Sequence, residues 1–142
     1  MLKEAIKLIF VFTDARKKEG GAWITMVFFD SQERIIEIYK KAVNPKVFKM
    51  YELERRAIDE AIRKYPDADF YLTDHKGVEL FHKNPKILLI DGKVNPAHYA
   101  LKFNLGKTRI EKIFPFKKDE DRKEKILYKK ILLAIESLKE II

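Results

Sequence analysis

The chain reads as an α/β protein built on a mixed five-stranded sheet flanked by helices. Three observations carry this. Three β-branched and aromatic runs follow one another in the first 43 residues, as antiparallel strands do. A 19-residue helix-like stretch comes next, and then a fourth apolar run, DFYLTD. A strand-helix-strand crossover places strand four parallel to a neighbour, most simply strand one.

The elements follow in order. Lys7–Asp14 (KLIFVFTD) is a buried strand, with ARKKEGG as a charged loop after it. Ala22–Asp30 and Arg34–Val43 are strands two and three, joined by a turn at Asp30-Ser31-Gln32-Glu33. Asn44-Pro45 breaks strand three, and the helix is expected over Lys46–Lys64, ending before Pro66. Asp69–Asp74 is strand four. Gly77–Lys83 suits a short helix, and Lys86–Asp91 (KILLID) a strand or a buried turn. Asn95-Pro96 starts a helix over Ala97–Phe103. Arg109–Phe114 is strand-like, and Asp119–Ile142 is a closing helix. Its apolar stripe is Leu127, Ile131, Ala134, Ile135, Leu138 and Ile142. No repeat or linker interrupts the 142 residues, which are expected to form a single domain, 1–142.

Composition narrows the chemistry. With 46% apolar and 37% charged residues the chain is globular rather than disordered. There is no cysteine, so disulfides, thiolate catalysis and cysteine zinc sites are excluded. No GxSxG, no GKS/T loop and no metal-spaced histidine pair occurs. The N-terminal apolar run, broken by Glu4 and Lys7, is too short for a signal sequence. No segment is long enough for a membrane span, and a cytoplasmic location is expected. The net charge is +8, with 14 Lys+Arg against 13 Asp+Glu in residues 1–74 and 16 against 9 in 75–142. That basic second half fits either a polyanionic partner such as nucleic acid or a solvated lysine surface.

The acids point further. Asp14 and Asp74 each close an apolar strand, where a carboxylate is costly unless water, a hydrogen bond or a metal satisfies it. If strands one and four are neighbours, the two aspartates sit side by side at their carboxyl ends. The helix offers Glu52 and Glu54. At roughly 100° per residue, Met50, Ala57, Ile58, Ala61 and Ile62 fall within about 80° of Glu54, whereas Glu52 lies about 160° away among charged residues. Glu54 therefore faces the sheet and Glu52 faces water. A buried Lys or Arg partner for Glu54 is the structural alternative.

FTD ending strand one, a GG before strand two, E-x-x-A-I-x-x-A-I from Glu54 to Ile62, and LTD ending strand four resemble ribonuclease H and its integrase-type relatives. The resemblance covers residues 7–76. It implies a ribonuclease H-like fold, with antiparallel strands 1–3 and strand 4 parallel to strand 1. It also implies a metal-dependent endonuclease that hydrolyses phosphodiester bonds by a two-metal-ion mechanism, on the RNA strand of an RNA–DNA hybrid. Asp14, Glu54 and Asp74 match the family's first three metal-binding carboxylates, and Mg²⁺ or Mn²⁺ suits such hard oxygen donors. By family analogy Asp14 bridges, Asp74 serves the nucleophile side and Glu54 the leaving-group side.

The fourth acid of that family sits in the first turn of the closing helix, with apolar residues three and seven positions on. Glu124 fits, through Leu127 and Ile131; Asp121 does not, its third residue being Glu124. DEDRKE equally suits a helix N-terminus favoured by its dipole. A second threading takes KILLID as strand five and puts His98 in the fourth position. His75 or His98 is a further candidate to assist product release. Arg16, Lys17, Lys18, Lys117 and Lys118 are candidate phosphate contacts. The sequence departs from the family at Ala15-Arg16 (usually Gly-Ser), at His75 (usually Ser), and in the shortened glycine stretch Glu19-Gly20-Gly21. A catalytically inactive module of the same fold, binding nucleic acid or a protein, is the alternative function.

Overall fold

The computed structural model describes residues 7–18, 20–44, 49–78, 83–102, 108–110 and 122–138. The side chains of residues 102, 108–110, 122 and 124 are not among those described. Strands β1 (Ile9–Lys18), β2 (Gly21–Asp30) and β3 (Ile35–Val43) form an antiparallel meander. Helix α1 (Met50–Lys64) crosses over to β4 (Phe70–Thr73), which runs parallel to β1. A short strand β5 (Ile87–Leu89) lies parallel to β4. Next come a 3₁₀ turn (Gly92–Val94), α2 (Pro96–Lys102), β6 (Thr108–Ile110) and α3 (Arg122–Leu138). The sheet order is β5-β4-β1-β2-β3-β6.

Strands β1 to β4 thus take the expected mixed arrangement; β5, within Lys86–Asp91, joins beside β4, and β6, overlapping the strand-like run Arg109–Phe114, pairs along the free edge of β3. Both faces of the central strands are covered, which explains their near-continuous apolar runs. On one face α1 packs through Leu53, Ala57, Ile58 and Ala61 on Val11, Ile24, Met26 and Tyr71. On the other, Phe10, Phe12, Val27, Phe29 and Ile38 meet Ala97, Ala100, Leu127, Ile131, Ala134 and Leu138 of α2 and α3. The predicted closing-helix stripe is buried at Leu127, Ile131, Ala134 and Leu138, with Ile135 half-buried beside them; Ile142 lies outside the described residues.

Some boundaries differ from expectation. The strand expected to end at Asp14 continues to Lys18, because Ala15, Arg16, Lys17 and Lys18 pair with Ile24, Trp23, Ala22 and Gly21 of β2. Gly20, with φ of +83°, supplies the left-handed residue that reverses the chain before Gly21. The α1 helix begins at Met50 rather than Lys46, and residues 45–48 lie outside those described. It ends as predicted before Pro66, with the Tyr65 N–H donating to the Ala61 carbonyl at 2.8 Å. Of the predicted Gly77–Lys83 helix only Gly77, Val78 and Lys83 are described, Lys83 with a left-handed φ of 57°; only Arg109 and Ile110 of Arg109–Phe114, and Arg122–Leu138 of the closing helix, are described. No helix among the described residues is long and apolar enough to cross a membrane.

The β1–β4 ladder stops at Phe12↔Leu72 while β1 runs on against β2. Beyond that point β1 has lost its neighbour on one side, and Thr13 closes the gap by donating its Oγ1 hydroxyl to the Leu72 carbonyl at 2.9 Å. This opening positions the site. Phe12, fully buried between β4, α2 and α3, holds the layers together beneath it. Phe12→Ala is expected to lower unfolding free energy by about 3–5 kcal/mol in urea denaturation, with an unchanged far-ultraviolet spectrum.

Candidate metal centre

Asp14 follows Phe10 and Phe12 in strand alternation, so its side chain projects on the α2/α3 face. Glu54 comes from α1 on the opposite face, and Asp74 is the first residue after β4. They meet where the β1–β4 ladder has ended: one carboxylate oxygen from each lies within 4.8 Å of the other two. Asp14 is 4% exposed and Glu54 3%, while Asp74 is half-buried. These three carboxylates could hold a metal ion.

The electrostatics are those of a cluster short of positive charge. Burial, followed by the charges of Asp14 and Asp74, pushes the Glu54 carboxyl up to about 9. Burial and then Asp74 raise Asp14 to about 6, against the opposing help of the Ala15 backbone N–H and of His98. The buried Glu54 Oε2 has no hydrogen-bond partner among the described residues. Leaving such an acceptor unsatisfied costs roughly 1–3 kcal/mol, and a cation at the cluster would supply what it lacks. The donors are all carboxylate oxygens, the set that hard divalent ions take. On both counts the residues fit a bound divalent cation.

Asn95 fixes the arrangement. Only 2% exposed, it donates from Nδ2 to the Thr13 carbonyl at 2.9 Å and to Asp74 Oδ2 at 3.0 Å. Its Oδ1 accepts the Ala97 N–H at 3.1 Å, capping the first turn of α2. One amide thus ties β1, Asp74 and α2 together. Gly92 passes close to the same carboxylate, and a Cβ there would lie 3.3 Å from Asp74 Oδ2. His98 places Nδ1 3.1 Å from Asp14 Oδ2. A cleft of about 890 Å³ opens over the cluster, lined among others by Asp14, Asp74, Asn95, His98, Lys93 and Lys130.

The structure therefore brings together Asp14, Glu54 and Asp74, with Glu52 exposed on the other side of α1 as the periodicity predicts. Glu124 falls in the first turn of α3, but its side chain lies outside the described residues, as do Asp121, Lys117 and Lys118 altogether. Arg16 sits in a small pocket with Asp14 and His98, whereas Lys17 and Lys18 are exposed at the end of β1. His75 packs against Tyr51 in a T-shaped ring contact, 5.8 Å between centroids, and is not among the residues lining the cleft. Sequence reasoning missed Asn95 as a site residue. Its Asn-Pro signal was visible, but only as the start of a helix. Comparisons with protein-family models, curated proteins and solved structures find no match to this chain.

Two outcomes follow from the cluster. Glu54 binds its proton more tightly in the folded than in the unfolded chain, so its contribution to metal-free stability is greatest below its ordinary 4.5 and falls as pH rises towards about 9. Asp14 adds a smaller loss between its ordinary 3.8 and about 6. Chemical denaturation of metal-free Glu54→Gln should show a shallower decline between about pH 5 and about pH 8 than the parent. Asn95→Ala should lower stability by about 1–3 kcal/mol, because it strands the Thr13 carbonyl and leaves Asp74 without its donor. Asn95→Ser, which keeps a helix-capping oxygen, should recover only part of that loss in the same denaturation series.

Proposed function

We propose that the chain is a metal-dependent phosphodiester hydrolase of the ribonuclease H type, using Mg²⁺ or Mn²⁺ to cut nucleic acid, the RNA strand of an RNA–DNA hybrid being the favoured substrate. The observation that carries this is the convergence of Asp14, Glu54 and Asp74, from three separate elements, to within 4.8 Å. The parallel placing of β1 and β4 and the meander before them support it, since they bring the two aspartates together in the way the family resemblance implies.

Asp14, Glu54 and Asp74 would hold the cation, and Asn95 keeps Asp74 turned towards it. A bound divalent ion supplies Lewis acidity, making a water acidic enough to attack at neutral pH and offsetting phosphodiester charge. The chain's own cations supply binding. Lys93 and Lys130 line the cleft and Arg16 lies beside Asp14, placed to attract phosphate oxygens without reading base sequence. Burial of the cluster beneath the cleft keeps competing water away from Glu54.

Asp14→Asn should abolish Mg²⁺- and Mn²⁺-dependent cleavage of a labelled hybrid, duplex DNA or single-stranded RNA while leaving the thermal unfolding profile cooperative. Affinity for the uncleaved oligonucleotide should fall steeply with salt, in proportion to the phosphates neutralised. Salt-sensitive binding without cleavage by the parent protein would instead assign a binding module. A shallow salt dependence would remove nucleic acid as the ligand.

A further inference from the structure

We propose that the protein pairs with a second copy of itself through the outer face of α3, the two helices lying antiparallel about a two-fold axis between Leu132 and Leu133. Pairing there is independent of any metal at the carboxylate cluster.

The exposed face of α3 is the starting point. The helix buries Leu127, Ile131, Ala134 and Leu138 against the sheet. At about 100° per residue, Lys125, Leu132, Leu133 and Glu136 fall within about 60° of Lys129, and the four buried residues lie about 140° to 180° away. The stripe therefore points away from the core. Leu132 is 44% exposed and Leu133 58%, and among the described residues Met50 is the only other large hydrophobic left exposed. A single exposed leucine is ordinary. Two adjacent ones with charge at both ends match the anatomy of an interface, an apolar centre within a polar rim.

Charge identifies the occupant. Lys125 and Lys129 precede the leucines and Glu136 follows them, in a last turn that holds no basic residue. That reverses what the helix dipole favours, since anions suit the N-terminus and cations the C-terminus. Lys125 and Lys129, four residues apart, also repel one another mildly. A pattern that its own helix does not reward is matched by the same pattern running the other way. In a two-fold pair each contact occurs twice, with the roles exchanged. With the axis midway between the leucines, Leu132 meets Leu133 of the second copy. Lys129 then meets Glu136, about 5 Å along the helix on either side of the axis. The sequence continues the match with Lys125 and Glu140, Glu140 itself lying outside the described residues. A parallel pair would instead set lysine against lysine and glutamate against glutamate. None of the described stripe residues lines the cleft.

One helix pair makes a small interface, so the dimer belongs to the weak class. Sedimentation equilibrium of the full chain from roughly 5 µM to roughly 500 µM covers that class. The mean mass should climb from one chain towards two and stop there, because a two-fold pair is closed. Leu133→Lys should weaken association at least about tenfold. So should Lys129→Glu and Glu136→Lys separately, each setting like charges opposite one another twice. An equimolar mixture of those two single variants should recover the parent's association, since every opposed pair is again of opposite sign. The double variant Lys129→Glu/Glu136→Lys should recover it as well. All these positions face solvent, so circular dichroism should show the parent's helix content throughout. A parent that keeps one chain's mass at the highest concentration would overturn the proposal. Association untouched by Leu133→Lys would overturn the α3 interface, and a mixture no better than its components would overturn the antiparallel register. Masses beyond two chains would overturn the two-fold closure.

Discussion

Taking a carboxylate out of water costs several kcal/mol unless something replaces its hydration, and much of this fold is arranged around two that are almost wholly buried. The Ala15 backbone N–H helps both and an imidazole helps Asp14, yet Glu54 Oε2 has no hydrogen-bond partner among the described residues. A structure selected for stability alone would place leucine or glutamine at position 54, where the helix faces its sheet. An acid at that position is a donor that a cation at the cluster could use. The same logic explains Asn95, which spends a buried amide on holding Asp74 in position.

The backbone makes the meeting possible. A parallel ladder that ran the full length of β1 would leave no space between Asp14 and the strand beside it. Instead β4 ends after Thr73, and β1 continues with support from β2 alone. Carboxylates from opposite faces of the sheet then share one small volume, with β1 in unbroken register against β2. The cost is a strand end exposed on one side, which the Thr13 hydroxyl and the Asn95 amide cover.

Much of this was legible in the sequence. Apolar runs marked the strands, because strands covered on both faces need side chains such as Phe10, Val11 and Phe12 in succession, and the helix crossover put β4 beside β1. Helical periodicity separated Glu54 from Glu52, because two residues along a helix turn a side chain to nearly the opposite face. The continuation of β1 was not legible. Ala15-Arg16-Lys17-Lys18 is as charged as a loop, and only its pairing with β2, a tertiary fact, makes it a strand. Likewise β5 is three residues long, too short for periodicity to distinguish from a turn. Asn95 escaped because its role depends on where α2 docks, which no local pattern encodes.

The orphaned oxygen of Glu54 has one more implication. A group that holds its proton up to about 9 must surrender it before it can ligate. A cation entering there would have to displace that hydrogen ion, so the surrounding acidity would weigh on which occupant wins. Acidification would tilt that competition towards the hydrogen ion, and Asp14, raised to about 6, would join it.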